Sequence, residues 1–358
     1  MKKLILITIF VLFSSASFAE ISTDWKWGKV FNSVVLVSGE NIAEIIIKDP
    51  NQNDPATPPH GKEPKFDTLK PRLIPYGMGT GFFINKFHVV TNYHVIKNFN
   101  KLSIYAFNHL FAITDVTLVG YDEEIDIAVL QINEDIPHDF LRWSDTAPLI
   151  GDDVYALGHG MSQVWSLTKG ILSYDYRPNP GTSFVHYMQT DAVINSGNSG
   201  GPLLNEDGEV IGVSTLLISP DKYYVGYGYV IPTPLVKRVI TQILATGKHI
   251  KPFMGVLMGH IEGRAQYDEL KADGIDHYLE IKEVTKNSPA ERFGLLAGDI
   301  IVSIDDRDIQ VVAQVIELLW ERNPGDQVSF KVYRDYEYHT IDIVLGRTKN
   351  QPDPIESK

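Results

Sequence analysis

Apolar and polar positions change rhythm once along the chain. From about Val30 to Pro232, short apolar or alternating runs are cut by Gly, Pro, Asn and Asp: SVVLVSG, GTGFFINKFHVVTNYHVI, KLSIYAF, AITDVTLVGYD, DIAVLQI, DDVYALG, EVIGVSTLLI and VGYGYVIP. Many short strands at such spacing predict an all-β barrel or sandwich. Residues 49–75 interrupt the pattern, being rich in proline and polar residues with no apolar period, and predict a long surface loop. After Pro232 the period becomes helical. TPLVKRVITQILATGKH puts Leu235, Val236, Val239, Ile240, Ile243 and Leu244 on one stripe and stops at Gly247, predicting a helix with a glycine C-cap. Beyond it, strands alternate with two predicted helices. One opens at NSPAERFG, with Ser288 as N-cap and Pro289 in the first turn. The other lies in IQVVAQVIELLWERNPG, with Val312, Val315, Ile316 and Leu319 on one face.

The change of rhythm divides the chain. A protein of 358 residues suits two domains. We place one over 20–248 and a second over 252–346, with a polar tail at 347–358. The opening MKKLILITIFVLFSSASFA joins two lysines to an apolar run from Leu4 to Phe13 and then small residues, with Ser17 and Ala19 placed for a cut before Glu20. That is the pattern of an export leader, residues 1–19. The apolar run is too short for a membrane span, which needs about 20 residues. Export to the periplasm or beyond, with no stable membrane span after cleavage, is the expectation.

Composition narrows the chemistry. With no cysteine, disulfides, thiolate metal sites and a cysteine nucleophile are excluded. The formal charge is −13, and removing Lys2 and Lys3 with the leader makes it −15. So acidic a surface repels phosphate backbones, and no nucleic-acid partner is expected. The histidines show no HExxH or comparable spacing, so neither a metal nor a cofactor is expected. GMGTG, residues 77–81, lacks the setting of a phosphate loop and reads as a barrel turn.

One stretch asks for a chemical explanation: NSGNSGGPL, residues 195–203. A serine hydroxyl attacks a carbonyl only when a base takes its proton and fixed donors receive the developing charge. Backbone N–H groups converge on one point only where the chain turns tightly and side chains are absent. GNSGG therefore can present Ser199 while aiming the Gly197 and Ser199 amides at an oxyanion. Upstream, VVTNYHVI places His94 at the end of an apolar strand, and DEEIDIAVLQI places Asp126 at the start of another. The order His, Asp, Ser is that of a chymotrypsin-type triad.

With these motifs on the page, the sequence resembles the HtrA family of trypsin-like serine proteases that carry PDZ domains. The matching stretches are GTGFFI, VVTNYHVI, DIAVLQI, QTDAVINSGNSGGPL, GEVIGVST, GYGYVIP and NSPAERFGLLAGDIIVSIDD. The resemblance implies a mainly β fold: two six-stranded antiparallel β-barrels meeting at the active site, then a small α+β PDZ domain. It implies Ser199 as nucleophile, His94 as general base, Asp126 as its orienting carboxylate, and an oxyanion hole from Gly197, Asn198 and Ser199. Substrate would meet Ile194, Ser214, Thr215, Leu216 and Tyr229, with a strand at Ser214–Leu216 pairing the substrate backbone. No acid stands at the base of that pocket, so a small or medium apolar side chain is expected before the cut. KPFMGV resembles a PDZ carboxylate loop, implying that Phe253, Met254, Gly255 and Val256 bind peptide C-termini. The expected activity is cleavage of unfolded or misfolded proteins, and the alternative is a peptide-binding scaffold with a resting protease site.

The family also packs aromatic residues near the mature N-terminus between three protomers, which implies a homotrimer built through Trp25 and Trp27. Its activity is controlled by loops, here about 158–164, 174–186, 194–198 and 216–226. The sequence departs from the family at Ser196, where proline or arginine is common, at His159 and Gly160, where an Asn-Pro pair is common, and at Tyr229 in YVIP.

Overall fold

The computed structural model describes residues 26–40, 77–107, 112–178, 185–215 and 226–347. The leader, the loop at 49–75, Trp25, Leu216 and the tail beyond 347 lie outside the described residues. After a short helix α1 (Gly28–Ser33), the chain forms β1 (Val34–Glu40), β2 (Gly77–Phe83), β3 (His88–Thr91), the one-turn helix α2 (Tyr93–Ile96), β4 (Lys101–Ala106), β5 (Val116–Asp122) and β6 (Ile127–Ile132). These strands make one antiparallel sheet in the order β4-β1-β2-β3-β6-β5. A bridge from Ile104 of β4 to Ile113, just before β5, draws its two ends together.

A second set follows: β7 (Asp153–Gly158), β8 (Ser166–Pro178), β9 (His186–Thr190), β10 (Pro202–Leu204), β11 (Val210–Ser214) and β12 (Gly228–Pro232). It is a closed six-stranded barrel. Strand periodicity sorts the first sheet's side chains. Phe83, Val89, Ala128 and Leu130 fill the interior of the first sheet. Their neighbours Phe82, Val90, Ile127 and Val129 point the other way, into a core shared with the helix α3 (Thr233–Thr246). Fully burying one such side chain contributes about 1.5–3 kcal/mol.

The predicted stripe of α3 is realised except at Leu244, which is exposed. Leu235, Val236, Val239, Ile240 and Ile243 are buried, and Gly247 ends the helix at φ 76°. GMGTG is not a turn but the body of β2. Its glycines serve close packing: a Cβ on Gly79 would lie 2.6 Å from Val95, and one on Gly81 would lie 2.7 Å from Val89.

The last unit comprises β13 (Pro252–Phe253), β14 (Val256–His260), α4 (Arg264–Ala272), β15 (Leu279–Val284), α5 (Pro289–Phe293), β16 (Ile300–Ile304), β17 (Arg307–Asp308), α6 (Val312–Trp320), β18 (Gln327–Arg334), β19 (Glu337–Val344) and β20 (Gly346–Arg347). Its sheet runs β14-β15-β16-β18-β19, leaving β14 at an edge. Ser288 caps α5, accepting the Glu291 N–H at 3.2 Å. The sequence did not announce α4, because of its nine residues only Leu270 is buried and no apolar stripe marks it.

Besides hydrogen bonds from Arg238 and Gln242 of α3 to Asn323, two contrasting contacts tie this unit to the barrels. On the first-barrel side, the segment between α3 and β13 is held by a hydrogen bond and an ion pair: His249 Nδ1 lies 2.7 Å from Asp122 Oδ2 and Lys251 Nζ lies 3.0 Å from Asp122 Oδ1, all three side chains being buried. On the second-barrel side the contact is aromatic. His186 of β9 stacks on Trp320 of α6, ring centroids 4.6 Å apart.

Candidate active site

Asp126 sits immediately before β6 at φ 65°, a left-handed conformation that a non-glycine residue adopts only when its surroundings impose it. The surroundings are on the first sheet. The Asp126 carbonyl accepts from Asn92 Nδ2 at 2.7 Å and from the Tyr93 N–H at 3.3 Å. His94 lies one residue further, in α2 rather than on the strand itself, because the chain turns into a helix after Thr91.

The Asp126 carboxylate collects three donors. Oδ1 accepts from the His94 N–H at 2.8 Å, while Oδ2 is 2.6 Å from His94 Nδ1 and 2.8 Å from the Thr215 hydroxyl. A carboxylate only accepts, so Nδ1 carries the proton and the neutral ring keeps Nε2 as a free base. That is the tautomer a general base needs.

Ser199 comes from the turn between β9 and β10 of the second barrel. Two bonds fix it: its carbonyl accepts from the Thr80 N–H at 2.8 Å, and the Gly200 N–H donates to the Ser214 carbonyl at 2.8 Å. The glycines of NSGNSGG are now explained. A Cβ on Gly197, at φ 103°, would stand 2.4 Å from the His159 carbonyl oxygen, and one on Gly200, at φ 86°, would stand 2.2 Å from the Thr80 carbonyl oxygen. The Ser199 hydroxyl donates to the Thr215 carbonyl at 3.0 Å, not to His94. The expected Ser–His hydrogen bond is therefore absent among the described residues, although Thr215 touches both Asp126 and Ser199.

The oxyanion turn is set by carbonyl placement. The Ser196 carbonyl accepts from the Met161 N–H at 2.8 Å. In a trans peptide the following N–H points the opposite way, so the Gly197 N–H is turned from that contact. Neither the Gly197 nor the Ser199 N–H has a partner among the described residues. Asn198 differs from expectation. Its N–H closes the turn on the Asn195 carbonyl at 2.9 Å, and its side chain is buried between Gly158 and Gly160. It shapes the turn and donates nothing to the hole.

The substrate-side expectations need two corrections. Ser214 cannot pair with a substrate strand, since its N–H donates to the Gly201 carbonyl and its carbonyl accepts from Gly200, both at 2.8 Å. Ile194 is buried against Gly228, where an added Cβ would lie 2.6 Å from it, so it backs the pocket rather than lining it. Thr215 keeps its carbonyl toward Ser199 while its N–H donates to Tyr229 at 3.1 Å, and Tyr229 is half-buried in β12.

Sequence reasoning overlooked Thr80. Buried in β2, its hydroxyl donates to the Gly197 carbonyl at 2.7 Å and accepts from the His159 N–H at 3.2 Å. The one signal was a polar residue between the two close-packed glycines of GTG.

In the last unit, the carbonyls of Met254 and Gly255 face inward, accepting from Ala290 at 3.0 Å and Thr285 at 2.8 Å. By the same peptide geometry, the Gly255 and Val256 N–H groups face away from those contacts, beside the edge strand β14. Gly255, at φ 89°, is required there, because a Cβ would meet Ser288 at 2.2 Å. Phe253 pairs with Gly346, and the Met254 side chain is core.

Known proteins resemble this chain over both units. Residues 79–213 match the trypsin-like peptidase domain family and residues 252–345 match the PDZ domain family. The chain is 33% identical over 294 residues to a probable periplasmic serine endoprotease, DegP-like, of Chlamydia muridarum, covering 80% of this chain and 56% of that one. It is 33% identical over 295 residues to the serine protease Do-like HtrA of Bacillus subtilis, covering 77% and 65%. Among solved structures, the HtrA-type protease AlgW with decapeptide matches with TM-score 0.69 and 25% identity, over 92% of this chain and 99% of that one. The chain belongs to the HtrA family. It spans somewhat over half the length of the curated HtrA relatives it matches. Among the described residues no helix is long and apolar enough to cross a membrane, and no cluster of three or more potential metal ligands is found.

Proposed function

We propose that this HtrA-family chain is an exported serine endopeptidase that cleaves unfolded or misfolded proteins. Ser199 is the nucleophile, His94 the base and then the acid, and Asp126 the carboxylate that orients the imidazole. The Gly197 and Ser199 amides receive the oxyanion. The observation that carries the reading is the three-donor Asp126 carboxylate, which fixes the His94 tautomer with Ser199 and Thr215 alongside. Residues 1–19 act as the leader, 20–248 as the protease unit and 252–346 as a PDZ unit whose 253–256 loop takes peptide C-termini beside β14. The relatives' description as periplasmic supports the same compartment here. A homotrimer remains part of the proposal. Trp27, half of the aromatic pair expected to build it, packs within its own chain, 4.7 Å from the Tyr155 ring.

One observation favours the second reading, a peptide-binding scaffold with a resting site: the Ser199 hydroxyl is engaged by Thr215. Labelling with a fluorophosphonate and assaying casein cleavage, with Ser199→Ala as control, separates the two. The protease reading expects a Ser199-dependent adduct and cleavage. No adduct, with or without an added C-terminal peptide, would establish the scaffold instead.

A further inference from the structure

The loop at 159–165 follows β7 and braces the turn that carries Gly197, yet His159 has no part in the chemistry described so far. His159 is 1% exposed. Its Nδ1 accepts the Trp165 N–H at 3.0 Å, which makes it unprotonated and places the ring proton on Nε2. The bond closes the 159–165 loop, whose backbone is otherwise unfavourable, since Met161 and Trp165 sit at φ 53° and 49°. Trp165 also donates through Nε1 to the Val34 carbonyl at 3.0 Å and meets the His159 ring edge to face at 4.9 Å. Two paths lead from His159 to the peptides on either side of Gly197. Through the loop, the Met161 N–H holds the Ser196 carbonyl at 2.8 Å. Through Thr80, the His159 N–H at 3.2 Å is linked to the Gly197 carbonyl at 2.7 Å.

We propose that His159 is a positioning residue for the oxyanion turn: its unprotonated Nδ1 keeps the 160–165 loop closed, and the closed loop holds the Ser196 carbonyl so that the Gly197 N–H stays free for substrate. The proposal rests on reading Ser199 as the nucleophile. It adds an acid-sensitive element, because a protonated Nδ1 would face the Trp165 N–H donor to donor. Burial pushes the His159 pKa down to about 4, against a smaller upward pull from the Val35 backbone. The groups that meet the ring and its backbone are Val35, Thr80, Trp165 and the 197–198 turn, and none is titratable or charged. The loop therefore stays closed near neutrality and opens only in acid.

Two variants of the full-length protein test this. His159→Asn keeps an acceptor on the same γ carbon without a titratable proton, and His159→Leu fills the space with no acceptor. Backbone amide hydrogen exchange should leave Met161 and Trp165 protected in wild type and His159→Asn, and should show at least tenfold faster exchange at both in His159→Leu. Acylation of Ser199 by a fluorophosphonate should fall about 100-fold in His159→Leu, the scale of losing one oxyanion donor, and recover in His159→Asn. As the pH falls through about 4, wild type should lose protection at these amides and His159→Asn should keep it. That comparison stands if His159→Leu does not fold. A folded His159→Leu with wild-type protection, or identical acid behaviour of wild type and His159→Asn, overturns the proposal. Absence of Ser199 labelling in wild type, with the exchange pattern as expected, would instead overturn the protease reading and leave the loop's role standing.

Discussion

The two sides of the candidate active site are held by different means. On the first-barrel side, the Asp126 carbonyl and carboxylate are engaged by Asn92, Tyr93 and His94 at the junction of β3 and α2, and the carboxylate also by Thr215 at the end of β11 of the second barrel. On the second-barrel side, Ser199 and Gly200 are bonded to Thr80 and Ser214, but the Ser196 end of the turn is held by a single bond, from the Met161 N–H, to a loop with two left-handed non-glycine residues. Two of the attachments of the PDZ unit repeat the contrast, with a buried ion pair between Lys251 and Asp122 on one side and a histidine–tryptophan stack on the other. The candidate base is built into the fold, whereas the Ser196–Gly197 end of the candidate nucleophile turn is the more adjustable.

The largest effect should come from breaking the rigid side. Asp126→Asn preserves shape but makes Oδ2 an amide donor or misplaces the acceptor, so His94 loses the tautomer with a free Nε2. Turnover should fall about 10⁴-fold, the scale of the analogous substitution in other triads, with KM for a peptide substrate within about threefold. Near-normal casein cleavage by this variant would refute the assignment of Asp126.

Gly197→Ala strikes the adjustable side. The new Cβ would stand 2.4 Å from the His159 carbonyl at a φ of 103°, so the turn must rearrange and the Gly197 N–H moves with it. A loss of about 10²–10³ in turnover is expected, as for removing one oxyanion donor. The variant's melting temperature should stay close to wild type if the turn alone adjusts, and unchanged turnover would mean that the Gly197 amide takes no part.

The contrast also explains what the sequence could disclose. Strand runs and the α3 stripe with its Gly247 cap are local signals, and most appear where the pattern placed them, whereas Leu244 is exposed and His94 falls in α2 just past its strand. Four features were hidden, two of them because they depend on partners remote in the chain and two for local reasons. The glycines of GMGTG are strand positions only because Val95 and Val89 pack against them. Ser214 looks available until Gly200 and Gly201 saturate its backbone, and Asn198 looks like a donor until Asn195 takes its N–H. α4 is polar on nearly every face, so no period could mark it.

His186 offers a pH test on the adjustable side. It is 3% exposed, stacked on Trp320, and its pKa is pushed down to about 4 by burial. The unfolded chain takes up a proton near the ordinary value of 6.5, and the native state does not until about 4. Stability contributed by the neutral ring is therefore complete above the unfolded value and is lost as the pH falls from 6.5 toward 4. His186→Phe, which keeps a stacking ring without the titration, should lose about 2 kcal/mol less than wild type between pH 6.5 and 4.5 in denaturant melts. Parallel pH dependence of the two proteins would exclude His186 as a source of acid sensitivity.

The smallest effect should come from the residue that joins the two sides. Thr215 donates its hydroxyl to Asp126 and offers its carbonyl to Ser199. Thr215→Val removes only the first contact, leaving Asp126 with two of its three donors and the shape nearly unchanged. Losing one hydrogen bond to a charged group is worth about 1.5 kcal/mol, or roughly tenfold in turnover. Thr215→Ser should restore most of it. The Ser199 contact uses the backbone carbonyl and survives both changes, so fluorophosphonate labelling of Thr215→Val should slow by the same factor as peptide hydrolysis. If the two reactions diverge, with labelling unaffected and hydrolysis slowed, Thr215 acts by placing substrate and the first side of the site does not need its hydroxyl.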